Sequence, residues 1–137
     1  MFKSLRWIAF IISMLVLSAM ACSFNFSTAK INDARLATDE DGNNKQTTFA
    51  LGDTIYAVMD LDNAPSDTKV EATWYMVDVE GVEPNTQIND EPVSVETGSG
   101  SVWFSLDTNT VGLTTGKYKV EISLNGKKDK TLEFTIE

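Results

Sequence analysis

Lys69-Val70-Glu71-Ala72-Thr73-Trp74-Tyr75-Met76 is the stretch that decides the fold, because its apolar and polar residues alternate without a break. Successive side chains of a β-strand point to opposite sides of the sheet, so strict alternation predicts a strand with one buried face. Continued as far as Val79, the run predicts a strand with Trp74 in the core and Tyr75 facing outward.

Similar alternation recurs along the chain on both sides of this run, separated by segments rich in Gly, Asn, Asp and Pro. Such punctuation is typical of an all-β sandwich built from short strands. The segments predicted as strands are 31–38, 54–60, 69–79, 92–96, 101–106, 117–124 and 131–137. We therefore predict a single β-sandwich of seven to eight antiparallel strands over residues 31–137, with 92–96 at an edge because it begins with a proline.

Two further motifs carry a resemblance to a known fold family. The run Gly116-Lys-Tyr118-Lys-Val120 is similar to the start of the sixth strand of immunoglobulin-like domains, and Asn125-Gly126 is a strong hairpin signal behind it. Together with Trp74, these residues resemble the immunoglobulin-like or fibronectin-III-like modules of bacterial surface lipoproteins. The resemblance covers about residues 30–137. It implies a tyrosine corner, in which the Tyr118 hydroxyl donates to a nearby backbone carbonyl.

The N-terminus has the layout of a bacterial export signal. Met1 to Arg6 is basic, Trp7 to Leu17 is apolar, and small residues then lead into Cys22, the one cysteine of the chain. The tetrapeptide Ala19-Met20-Ala21-Cys22 resembles the lipobox of bacterial lipoproteins, although Ala19 and Met20 depart from the preferred residues. The resemblance implies a signal peptide over residues 1–21, lipidation at Cys22 and a lipidated tether over 22–30.

Two alternatives remain open at this end of the chain. Ala19-x-Ala21 also fits an ordinary signal-peptidase site, which would release a soluble protein. Residues 7–21 could instead stay as an uncleaved membrane helix, with Lys3 and Arg6 on the inner side. That helix is shorter than the roughly 20 residues that a span normally needs.

Composition argues against several classes of function. The net charge is −9, and removing Lys3 and Arg6 with the signal peptide leaves −11. An acidic surface of this kind is unsuited to nucleic acid or anionic lipid headgroups. The chain has no histidine, so it lacks the usual general base and the commonest metal ligand. We expect no enzymatic activity and no cofactor.

A calcium loop is the one metal site that the sequence suggests. Asp39, Asp41 and Asn43 offer oxygen atoms at alternate positions, as calcium loops do. Gly42 is misplaced for such a loop, and no glutamate closes it twelve residues on. We therefore interpret residues 39–44 as a turn and predict no metal site.

Three outward-facing aromatic residues are the candidates for an interaction surface: Trp103, Tyr75 and Tyr56. Exposed aromatic side chains can anchor a protein partner or stack against a sugar, but they also pack across strands without any binding role. Tyr56 and Val58 share the outward face of their strand, and they would form one apolar patch with Tyr75 if the two strands were neighbours.

The sequence thus predicts a non-catalytic, lipid-anchored protein that acts in recognition or adhesion at the outer face of a bacterial membrane, with a protein partner of unknown identity. One alternative is an accessory subunit of a membrane complex, held by an uncleaved N-terminal helix. The other is a carbohydrate-binding module.

Overall fold

Nine β-strands form two facing sheets in the computed structural model, which describes residues 28–137. One short helix connects two of the strands. The elements are β1 (Lys30–Ala37), β2 (Thr48–Phe49), β3 (Thr54–Asp62), β4 (Thr68–Val79), β5 (Thr86–Gln87), β6 (Val93–Thr97), β7 (Gly100–Asp107), α1 (Thr108–Val111), β8 (Gly116–Leu124) and β9 (Lys127–Ile136).

Each sheet has a simple strand order. Sheet A has three antiparallel strands in the order β1-β3-β7, and sheet B has the order β2-β9-β8-β4. One edge of β4 pairs with β8, and its other edge pairs with β5 near Tyr75 and with β6 along 68–72. β1 belongs to sheet A and β2 to sheet B, so the chain crosses between the sheets after β1. β2 pairs with β9 in parallel.

The core lies between the inner faces of the two sheets, as the alternation predicts. Along β4, Val70, Ala72 and Trp74 are buried, and Met76 is half-buried ahead of a bulge between Met76 and Asp78. Trp74 is 1% exposed. Burying a residue of this size removes a large apolar area from water, which is the main favourable term in folding.

Tyr118 forms the predicted corner at the start of β8. Its ring is buried and its hydroxyl donates to the backbone carbonyl of Thr114 at 2.6 Å. The ring also stacks on Phe134, with 5.4 Å between centroids. The hydrogen bond ties the loop before β8 to the core, and the predicted tyrosine corner is confirmed.

The predicted hairpin between the last two strands is also present. Asn125 and Gly126 both have positive φ, of 50° and 80°. A two-residue turn of this kind requires that backbone, which Asn and Gly adopt most easily. The Asn125 Oδ1 atom also accepts from the Lys69 N–H at 2.9 Å, which fixes the turn against the start of β4.

The predicted number of strands is corrected from seven or eight to nine. The additional strands, β2 and β5, have two residues each and are too short to show alternation. Helix α1 lies between the predicted strands 101–106 and 117–124, and its four residues are too few to show a helical period in the sequence. It begins at the Asp107 cap, whose carboxylate accepts the N–H groups of Asn109 and Thr110.

The expectations for the N-terminus lie outside the described residues. They are the signal peptide or anchor helix over 1–21, lipidation at Cys22, and the part of the tether before residue 28. Across residues 28–137, no helix is both long and apolar enough to cross a membrane.

Candidate interaction surface

The outer face of sheet A carries a pair of aromatic side chains. Because Ile55, Ala57 and Met59 of β3 point into the core, Tyr56 and Val58 point to the opposite side. On the neighbouring strand β7, Trp103 lies directly across from Val58. The rings of Tyr56 and Trp103 meet edge to face, with 5.5 Å between centroids. We call Tyr56, Val58 and Trp103 the aromatic face.

Within the aromatic face, Trp103 is the most exposed residue, and Tyr56 is half-buried. Trp103 is 44% exposed, whereas Val58 is fully buried although it lies on the outer side of the sheet. Val58 is in register with Trp103 on one side and with Arg35 on the other, and these two larger side chains cover it. Trp103 therefore packs across strands and still offers a large part of its ring to a partner.

Arg35 holds the other side of this face through four hydrogen bonds. Its Nη1 donates to Asp60 Oδ2 at 2.7 Å and to Asp33 Oδ2 at 2.8 Å. Its Nε and Nη2 donate to the backbone carbonyls of Gly42 and Asp41, each at 3.2 Å. Burial alone would lower the pKa of Arg35, but the bonds to Asp60 and Asp33 outweigh it and raise that pKa. The guanidinium thus orients the Asp60 carboxylate and attaches the loop after β1 to sheet A.

That loop is the turn that the sequence predicts. The Asp39 carboxylate accepts the backbone N–H groups of Asn44 at 2.7 Å and Asn43 at 3.0 Å. These bonds favour the charged form and hold the pKa of Asp39 below its ordinary value. Gly42 lies against Arg35, and a Cβ at this position would collide with the guanidinium. Among residues 28–137, no three acidic or thiol side chains cluster closely enough to hold a metal ion.

Tyr75 lies on the opposite side of the molecule. It belongs to β4 in sheet B, on the outer face, where the Lys119 ammonium lies 5.0 Å from its ring centroid. Lys119 also donates to Glu121 at 3.1 Å. Burial would raise the pKa of Glu121, but Lys119 and Lys128 together lower it. The structure therefore joins Tyr56 with Trp103 and separates both from Tyr75, so the single patch containing Tyr75 is not formed.

Three residues that shape the exposed surfaces of the two sheets were not among the candidates predicted from the sequence: Arg35 in sheet A, and Val93 and Val95 in sheet B. Arg35 occupies an outward position of β1, and only strand pairing shows that Asp60 is close to it. Val93 and Val95 were assigned to the short edge strand, which the structure confirms as β6 along the edge of β4. That assignment did not show that both valines would remain exposed.

Comparison with known proteins supports the fold and nothing finer. No family model matches the sequence, and no curated protein is similar to it. An immunoglobulin-like protein from Pseudomonas aeruginosa has a TM-score of 0.56 at 10% identity, covering 83% of this chain and 100% of that one. The alkylpurine DNA glycosylase AlkC of Pseudomonas fluorescens has a TM-score of 0.53 at 18% identity, covering 81% of this chain and 31% of that one.

A β-glucosidase from Listeria innocua is a third similar structure, with a TM-score of 0.50 at 11% identity over 79% of this chain. The matched region is 15% of the glucosidase and, as stated above, 31% of the glycosylase. The chain therefore contains an immunoglobulin-like β-sandwich of a kind that also forms one part of larger bacterial proteins. Structural similarity at such low sequence identity establishes the fold alone, and a fold does not determine function.

Proposed function

We propose that this protein is a non-catalytic, lipid-anchored binding protein at the outer face of a bacterial membrane, where it recognises or adheres to another protein. The observation that carries the proposal is the aromatic face, because an exposed Trp beside a Tyr is the kind of anchor that protein interfaces use. The absence of histidine from the sequence supports a role without acid–base chemistry.

The strand layout is compatible with an N-terminal anchor. β1 begins at Lys30 beside Asp62 and runs toward Ala37, so the chain enters the sandwich at one end of sheet A. Trp103 lies midway along β7, between Gly100 near that end and Asp107 at the other. An anchored domain would therefore present Trp103 along its side, within reach of a neighbour in the same envelope.

Lipidation is tested with Cys22→Ser. Two or three acyl chains give stable membrane binding where one is marginal, so the variant should move from the membrane fraction to the soluble fraction. N-terminal mass analysis of the native protein provides the second measurement. A chain that stays in the membrane at its unprocessed mass would support the alternative of an accessory subunit held by an uncleaved helix.

Recognition through the aromatic face is tested by cross-linking intact cells that carry Trp103→Ala or Tyr75→Ala, followed by mass spectrometry. We expect a defined cross-linked partner with the wild-type protein and with Tyr75→Ala, and its loss with Trp103→Ala. Tyr75 is a matched control because it is an outward aromatic residue of the other sheet. Equal partner recovery from all three proteins would contradict the proposal.

Carbohydrate binding is a second candidate, favoured by the position of Asp60. Its carboxylate lies on the same side of β3 as Tyr56, diagonal to Trp103, and Arg35 holds it in place. A flat ring beside an oriented hydrogen-bond acceptor could bind a sugar. Quenching of Trp103 fluorescence by oligosaccharides on a glycan panel, absent in Asp60→Asn, would favour this function over protein recognition.

A further inference from the structure

One edge of β7 has no strand beside it in the part of the chain that the structure describes. β7 pairs with β3 over eight successive residue pairs without a bulge. No proline and no charged residue occurs from Gly100 to Leu106. Natural proteins usually protect a free edge with such a residue or a bulge, because its unpaired N–H and C=O groups attract other strands.

The opposite edge of sheet A shows the protection that β7 lacks. β1 has a bulge between Ile31 and Asp33. The loop after it also covers the end of the strand, through hydrogen bonds from Gln46 N–H to the Leu36 carbonyl and from Thr38 N–H to the Asn44 carbonyl.

Two exposed valines in sheet B face the space beside β7. Val93 and Val95 pair with Ala72 and Val70, whose side chains point into the core, so all four lie on the inner side of sheet B. Yet Val93 is 44% exposed and Val95 is 37% exposed. Sheet A, which ends at β7, therefore does not extend far enough to cover them.

An additional strand next to β7 would cover these valines. β1 contacts β9 at the far side of the sandwich. Since the strands of two packed sheets run in nearly the same direction in an aligned sandwich, the strand orders place the successive strands of sheet A over β9, β8 and β4. The next position, beyond β7, lies over β6. Strands are about 4.8 Å apart within a sheet and sheets about 10 Å apart, so side chains from this position would reach Val93 and Val95.

The charge of this region indicates the chemistry of the added strand. From Val70 to Gly116 the chain has eight acidic residues and no Lys or Arg. Asp90 and Glu91 are exposed just before β6, whereas Glu96 lies on the outer side of β6, in register with Lys69. We call the acidic residues around this position the acidic rim. A second copy of this chain would carry the same acidic rim and be repelled, whereas a segment flanked by Lys or Arg would be attracted.

We infer that the free edge of β7 binds an extended segment of a partner protein by β-strand addition, with alternating apolar residues facing Val93 and Val95 and basic residues at its ends. Main-chain hydrogen bonds supply affinity in this mode of recognition, and the alternate side chains supply specificity. The inference deepens the proposed recognition function and rests on it, since it names the class of partner.

The test uses the full-length chain in detergent micelles and a capped octapeptide that alternates Val and Thr between terminal lysines. Hydrogen-exchange mass spectrometry is recorded over residues 100–107 and, as an internal reference, over 127–136. We expect the peptide to slow amide exchange in 100–107 and to leave 127–136 unchanged. The same peptide with terminal glutamates should bind at least about tenfold more weakly, because its ends meet the acidic rim.

A matched pair of variants locates the site. Val95→Lys places a charge on the apolar side of the added strand and should weaken binding by about tenfold or more. Val111→Lys changes a valine of similar exposure, 40%, on α1 and should leave binding within about twofold. Thermal melts of both variants check that each is folded.

Three results would overturn the inference. They are no slowing in 100–107 at millimolar peptide, slowing confined to another strand, and slowing without peptide that grows with protein concentration. The last result would identify a second copy as the occupant. If partner cross-linking still depends on Trp103 while the peptide fails, the recognition function stands and strand addition is wrong.

Discussion

The two aromatic groups of this domain have similar geometry and different surroundings. In the core, Trp74 and Phe134 meet edge to face with 5.9 Å between centroids, and on the aromatic face Tyr56 and Trp103 meet in the same way at 5.5 Å. The core pair lies between two sheets, whereas Trp103 lies on the outer face of sheet A and is 44% exposed. An aromatic residue that a second sheet covers is therefore structural, and one that no second sheet covers can bind a partner. The contact that the residue makes within its own sheet matters less.

The largest expected effect tests the core side of this comparison. Trp74→Ala should destabilise the domain by about 3–5 kcal/mol, because it removes a fully buried ring and leaves a cavity. A typical domain has about 5–15 kcal/mol in total, so the variant should be unfolded or nearly so. Denaturant melts followed by circular dichroism measure the loss. If Trp103→Ala lowered the free energy of unfolding by the same amount, the core aromatic pair and the aromatic face would not differ as described.

Tyr118→Phe tests a single hydrogen bond at the edge of the core. The substitution keeps the ring stacked on Phe134 and removes the hydrogen bond to the Thr114 carbonyl. We expect a loss of about 0.5–1.5 kcal/mol, with more if water cannot reach the abandoned carbonyl. Tyr75→Phe is the control, because Tyr75 lies on the outward face of β4, where its ring contacts Lys119. Equal melts for the two variants would remove the tyrosine corner from the account.

On the aromatic face, Trp103→Ala should affect binding more than stability. It removes an aromatic pair worth about 0.5–1.5 kcal/mol and uncovers Val58, so we expect a loss near 1 kcal/mol. Chemical denaturation gives the stability, and the cross-linking described above gives the binding. A loss as large as that of Trp74→Ala, with partner recovery unchanged, would make Trp103 a structural residue.

The smallest effect concerns the loop that Arg35 holds beside the aromatic face. Backbone N–H groups of Asn44 and Asn43 hold the pKa of Asp39 below its ordinary value of 3.8. A lowered folded pKa stabilises the fold above the ordinary pKa, and this contribution is lost as pH falls through the lower, folded value. A carboxyl titration by NMR should give Asp39 a midpoint below 3.8. A midpoint at or above that value would show that the turn is not closed by this carboxylate.

The sequence predicts those features that depend on local pattern. Alternation identified Trp74 as buried and Trp103 as exposed, and Asn125-Gly126 identified the hairpin, because strand faces and tight turns are encoded by neighbouring residues. Tyr118 was placed through a family resemblance, and its hydrogen bond confirms that placement.

Features that depend on which strands pair could not be predicted. Tyr56 and Tyr75 both point outward, but only sheet order shows that they lie on opposite sides of the domain. Arg35 and Asp60 are distant in sequence and meet because β1 pairs with β3. The exposure of Val93 and Val95 depends on where sheet A ends, which no local pattern encodes.

The most direct test of the central claim is photo-cross-linking on intact cells, with a benzophenone amino acid placed at position 103 in one protein and at position 75 in another. We expect a discrete protein adduct from position 103 and none from position 75, because the aromatic face is the proposed recognition surface and the Tyr75 side of sheet B is not. Adducts of equal yield from both positions, or an adduct from position 75 alone, would contradict the proposal.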